Sequence, residues 1–124
     1  MERTKSLTKS LALELFSSDA FLIINKKLLI HYGPDTTVFL SNLVDKYRYF
    51  EYKKMLKDEE WFYITHEQVI NQTGLTETKI RTCKSKLRDD NVIITKRMGV
   101  PAKEFYRFDW NILIKTMGSD LRTS

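Results

Sequence analysis

Between Thr76 and Arg107 the sequence sets nine cations, Lys79, Arg81, Lys84, Lys86, Arg88, Lys96, Arg97, Lys103 and Arg107, against four acids, Glu77, Asp89, Asp90 and Glu104. That stretch carries a net charge of +5, which is the formal charge of the whole chain, because the remaining cations and acids cancel. Ammonium and guanidinium groups gathered in a quarter of a chain are the footprint of an anionic partner, although charge alone fits a solvated face equally well. Spacing decides between the two. Ile80, Cys83 and Leu87 fall on one stripe of a helix over about residues 77–89, and Thr78, Thr82 and Ser85 lie roughly opposite, bordered by Arg81. Hydroxyls and a guanidinium presented on one face can exchange hydrogen bonds with base edges, and Arg with guanine O6 and N7 is the commonest such pair.

Arg81 is the first choice for base reading, with Thr78, Lys79, Thr82 and Ser85 beside it. Lys84, Lys86 and Arg88 lie further along the helix and toward its sides, where they would meet phosphates and fix position. Thr76 is first of all the cap of this helix, and any phosphate contact it makes comes second. A second basic cluster, Lys96, Arg97 and Lys103, surrounds a turn in which Gly99 permits an unusual backbone angle and Pro101 stiffens the tip. A stiff basic loop over about residues 95–104 suits the edge of a groove. Thr78, Thr82 and Ser85 also read as ordinary surface residues.

Other chemistries find no support. "HEQVI", with one of the two histidines, His31 and His66, lacks the second His of a helical zinc-protease motif. Cys83 falls on the apolar stripe as a packed thiol, and a single cysteine can form no internal disulfide. Neither a metal, a cofactor nor an enzymatic activity is expected, and a reducing, intracellular (cytoplasmic) compartment fits. "MERTKSLTKSLALELF" has cations ahead of an apolar run, but Glu14 interrupts a run already too short for a signal peptide. "FLII" and "VII" fall far below a membrane span, so no membrane partner is expected.

The elements that must position these groups follow from periodicity. A length of 124 residues with 42% hydrophobic and 30% charged residues suits one soluble domain. Leu7, Leu11 and Leu15, with Ala12 and Phe16, predict an amphipathic helix over 5–16, ended by Ser17, Ser18 and Asp19. "FLIIN" reads as a short strand or extended segment, and "KKLLIHYG" as a short helix closed by Gly33, with Pro34 as a stop. A central helix runs from Asp35 or Thr36 to about Leu56, carrying Phe39, Leu40, Leu43, Val44, Tyr47 and Phe50. The rings of "KYRYFEYKK" fit core packing, with stacking on unpaired bases as the alternative.

"WFYIT" predicts a strand, and Thr65 with Gln68 predicts a capping box opening a helix that ends near Gln72. Gly74 then turns the chain into the helix capped by Thr76, with Leu75 anchoring the turn. "VIITKRM", "GVPA" and "KEFYRFDW" read as a β-hairpin whose Tyr106, Phe108 and Trp110 share the core face and leave Arg107 on the other. "NILIKTMG" is a helical turn packing back. The expected fold is α+β, mainly α: a winged helix-turn-helix with a small antiparallel β-sheet formed by the wing hairpin, and additional N-terminal helices.

"EWFYITHEQVINQTGLTETKIRTCKSKLRDDNVI" followed by "KRMGVPAKEFYRF" resembles the winged-helix DNA-binding domain at the N-termini of phage and plasmid replication-initiation proteins, including DnaD-like ones. The resemblance covers about residues 37–110, and its most specific part is the Gly99-Val100-Pro101-Ala102-Lys103 wing. It implies double-stranded DNA as partner, and the role of a small transcription regulator or replication-associated factor of a phage, virus or plasmid. In that family a second domain that contacts helicase or other replisome parts usually follows, so replication proteins, or host proteins in an adaptor role, are the further expected partners. The present sequence ends at Ser124, so DNA binding by the single module is what carries over. The expected division is residues 1–20 as an N-terminal helix that completes the core or pairs with a second copy as a homodimer, 21–117 as the winged-helix domain, and 118–124 as a flexible tail. The competing reading is a winged-helix protein-interaction adaptor or inhibitor that does not act on DNA.

Overall fold

The computed structural model describes residues 2–17 and 20–118, so the predicted tail from residue 119 onward lies outside the described residues. The element order is α1 (Glu2–Phe16), α2 (Lys26–Tyr32), α3 (Pro34–Tyr52), β1 (Phe62–Tyr63), α4 (His66–Thr73), α5 (Glu77–Asp89), β2 (Ile93–Met98), β3 (Lys103–Phe108) and α6 (Trp110–Thr116). The three strands form one antiparallel sheet in the order β1-β3-β2, with Tyr106 of β3 facing Phe62 on one side and Thr95 on the other. This is the α+β, mainly α architecture expected, with α4, a turn, α5 and a β-hairpin in winged-helix-like order.

Local chemistry explains most element ends. The Asn25 side chain accepts from the amides of Lys27 and Leu28 and opens α2. Gly33, at φ 83°, closes α2 and precedes α3 directly. Pro34 was expected to be a stop signal but is the first residue of α3, where its fixed φ is already helical and its missing N–H is one no helix uses. The same helix ends at Tyr52 instead of near Leu56. There Lys54 adopts φ 57°, its N–H donates to the Glu51 carbonyl and the Met55 N–H reaches back to Phe50, a Schellman closure with lysine in the usual glycine position.

The core gathers around α3. Phe39, Leu40, Leu43 and Phe50 are buried, and meet Val69 of α4, the Ile80, Cys83 and Leu87 stripe of α5, and Phe62, Tyr106 and Phe108 of the sheet. Tyr49 and Tyr52 do not join them: they are exposed, with the ammonium groups of Lys46 and Lys53 over their rings. The four aromatic residues of that run point in different directions around a helix, so only Phe50 and, in part, Tyr47 reach the core. Trp110 also departs from its predicted core position. β3 stops at Phe108, the Asp109 side chain caps α6, and the period of two that would have turned Trp110 inward no longer applies. "FLIIN" is not part of any strand.

The helix α1 forms over the predicted stretch, but it does not complete the core. Leu7, Leu11 and Leu15 are 67%, 56% and 64% exposed.

Candidate nucleic-acid interface

A helix-turn-helix needs its second helix held at a defined angle to the first, and four local devices do this. The Thr65 hydroxyl accepts from the Gln68 N–H while the Gln68 side chain accepts from the Thr65 N–H, a complete capping box. Gly74 takes the left-handed conformation, φ 78° and ψ 4°, that ends α4. Leu75 buries its side chain under the turn, and the Thr76 hydroxyl accepts from the Lys79 N–H to start α5. The far end of α5 closes on Asn91 at φ 60°, with the Val92 N–H reaching back to Leu87.

A chain of charged and hydrogen-bonding groups then ties α4, α5 and β3 together. Nδ1 of His66 lies 2.7 Å from Oε1 of Glu77, and the same oxygen accepts from Nε of Arg81 at 3.0 Å. With Nδ1–H donating to Glu77, Nε2 of His66 is left to accept from the Lys84 ammonium at 3.2 Å. Lys84 also donates to the Glu104 carboxylate on β3, and its ammonium lies over the Tyr106 ring. Burial, and then the neighbouring Arg88, lower the pKa of Lys84, while burial pushes the Tyr106 phenol up to about 12. The hydrogen bond from His66, then that from Arg81, holds the Glu77 carboxyl below its ordinary range.

That shift has a pH consequence. A carboxyl whose folded pKa lies below its unfolded value stabilises the fold above the unfolded pKa, and the contribution is lost as pH falls through the folded one. Glu77→Gln should therefore narrow the loss of stability below about pH 4.5 relative to the parent chain, read as urea midpoints at pH 7, 5, 4 and 3. Parallel curves at every pH would show that Glu77 is not the titrating group.

The predicted contact residues sort into two sets. Thr76 at the N-cap of α5 and Thr78, Lys79, Arg81, Thr82, Ser85, Lys86 and Arg88 on it are exposed, as are Lys96, Arg97, Gly99, Pro101 and Lys103 of the hairpin. Arg81, Ser85 and Arg88 line a cleft of about 640 Å³ together with Arg97 and Lys103, so cations of helix and hairpin share one wall, which the Lys84–Glu104 pair also lines. Several of these groups have internal contacts as well: Lys79 pairs with Asp35 at 3.7 Å, the Thr82 hydroxyl donates to the Thr78 carbonyl, and the Lys86 and Lys103 ammonium groups lie over Tyr32 and Tyr63.

Lys84 is the exception. It was expected to reach phosphates, but its side chain is only 12% exposed and turns inward onto Glu104 and His66, so it holds hairpin to helix. Arg107, on the face opposite Tyr106, sits over the Trp61 ring near Glu60. His66, Glu77 and Glu104 were not among the predicted site residues. The Glu77–Arg81 pair, four residues apart on one helix, could have been read from spacing. The contacts of His66 and Glu104 with Lys84 arise only from tertiary packing.

Among the described residues no helix is long and apolar enough to cross a membrane. No family model matches the chain, and no curated protein sequence is similar to it. Solved structures are similar in fold. One, described as "N-Terminal domain of DNA binding protein", aligns over 81% of this chain and 88% of its own with a TM-score of 0.58 and 16% identity. Another, described as "Structure of Rep-DNA complex", aligns over 81% of this chain and 89% of its own with a TM-score of 0.57 and 15% identity. At these identities the likeness is one of fold, and it extends over most of each chain.

Proposed function

We propose that this chain binds double-stranded DNA, with α5 in the major groove and the β2–β3 hairpin against the neighbouring backbone. The observation that carries the reading is the shared cationic wall: Arg81 and Arg88 from the helix and Arg97 and Lys103 from the hairpin line one cleft. The fold likeness to a DNA-binding protein's N-terminal domain and to the protein of a Rep–DNA complex supports it. The role that fits is a replication-associated factor or small transcription regulator of a phage, virus or plasmid, acting inside the cell.

Within this reading Arg81 is the base reader. Its side chain is 73% exposed, and Glu77 binds only Nε, which leaves both terminal nitrogens for guanine O6 and N7. Glu77 is thus the residue that orients Arg81. Thr78, Lys79, Thr82 and Ser85 flank it toward the bases, while Thr76, Lys86, Arg88, Lys96, Arg97 and Lys103 meet phosphates, with Gly99 and Pro101 shaping the tip of the hairpin. Lys84 holds the two basic elements at their spacing.

Selection of bound fragments from random duplex DNA tests the assignment. Arg81→Ala should cost about 1–3 kcal/mol on the selected site and flatten its sequence preference, whereas Lys103→Ala should weaken all duplexes alike. Equal losses on every duplex for both variants would remove Arg81 from base reading. No enrichment at all, with an acidic protein captured instead, would favour the adaptor reading.

A further inference from the structure

The cationic wall leaves two apolar surfaces unused, and they match each other. The first is the Leu7, Leu11, Leu15 stripe of α1, all three side chains exposed. The second is a cleft of about 610 Å³ between one face of α3 and one face of α6, also lined by Phe21 and Ile23. Leu40 and Val44 of α3 and Leu113 and Ile114 of α6 supply its apolar lining. Exposed contiguous apolar surface of this kind marks an interaction site.

We propose that α1 of a second copy of this chain docks in the α3–α6 cleft, reciprocally, so that each copy lends its first helix to the other. The dimensions agree. The lining of the cleft runs from Leu40 to Arg48 on α3 and from Trp110 on α6 to its C-cap Met117, about 12 and 10 Å of helix rise, and the stripe from Leu7 to Leu15 also rises about 12 Å. The area agrees as well. Leu7, Leu11, Leu15, Phe21, Ile23 and Trp110 are all exposed in the single chain. At about 100 Å² each they offer about 600 Å² per copy and about 1,200 Å² for the pair, the lower bound of a stable interface. A two-fold exchange uses both helices and both clefts, and so closes without leaving either surface free. In the single chain only residues 17–20 separate helix from cleft wall, yet both surfaces stay open to solvent.

Sedimentation velocity of the full chain without DNA, from about 1 to 100 μM, tests this independently of the duplex-binding reading. The expected result is a monomer–dimer equilibrium, weakened at least about 100-fold by Leu11→Lys on the helix or Ile23→Lys on the cleft wall. Both positions are exposed in the single chain, so at concentrations where the parent is monomeric the circular dichroism and melting of the variants should match it. Mixing the two variants should restore association in part, above that of either variant alone, because one of the two exchanges then joins an intact helix to an intact cleft. A parent chain that stays monomeric throughout, whether α1 is free or folded onto its own cleft, overturns the proposal. So does a dimer indifferent to both substitutions, or two variants that fail to complement.

Discussion

Replacing Arg88, Lys96, Arg97 and Lys103 together by alanine should lower affinity for any duplex about a thousandfold at 0.15 M salt. Each phosphate neutralised releases close to one counterion, so four lost contacts change log affinity by about 3.6 times the logarithm of the salt concentration. All four side chains are exposed, and among the described residues no carboxylate pairs with any of them. Their removal should therefore leave the fold within about 0.5 kcal/mol per site of the parent. Fluorescence anisotropy on a labelled duplex, with a urea melt of the same sample, checks both halves. Full affinity in the fourfold variant would move the DNA surface elsewhere on the molecule.

Tyr106→Ala should cost about 3–5 kcal/mol and lower the melting temperature by on the order of 15 °C. Tyr106 is fully buried on the central strand, stacked on Phe62 with ring centroids 5.7 Å apart, and it lies beneath the Lys84 ammonium that joins hairpin to helix. Truncation leaves a ring-sized void where sheet and α5 meet, and the loss is a large part of the 5–15 kcal/mol that stabilises a domain of this size. Tyr106→Phe separates packing from hydrogen bonding: its hydroxyl is 3.4 Å from Glu104, a long contact, so this variant should fall within about 1 kcal/mol of the parent. A thermal melt of both variants decides. If Tyr106→Ala melts with the parent, the hairpin is not anchored through this ring.

What could be read in advance follows the range of the forces involved. The turn between α4 and α5 was legible because Thr65, Gln68, Gly74 and Thr76 act on their own neighbours, and the Ile80, Cys83, Leu87 stripe because it repeats at helical spacing. The exposure of Arg81 and Arg88 was legible from the same helical spacing, and that of Arg97 and Lys103 from the hairpin pattern around Gly99 and Pro101. Lys84 was not, because on the helix alone it looks like any flanking lysine. Only the return of the chain as β3, twenty residues later, sets Glu104 beside it. The end of α3 was missed because a lysine occupies the left-handed position where glycine is the readable signal. The Leu7, Leu11, Leu15 stripe announced a buried face but could not say whose core it enters, since amphipathicity specifies a surface and not its partner.

The central claim is that α5 and the hairpin together present cations to a duplex, and the salt dependence of binding tests it most directly. With about five phosphates contacted, log affinity against log salt should be a straight line of slope about −4 to −5 between 50 and 300 mM. A slope near zero over that range would contradict the account, because a polyanion held by this surface must release counterions as it binds.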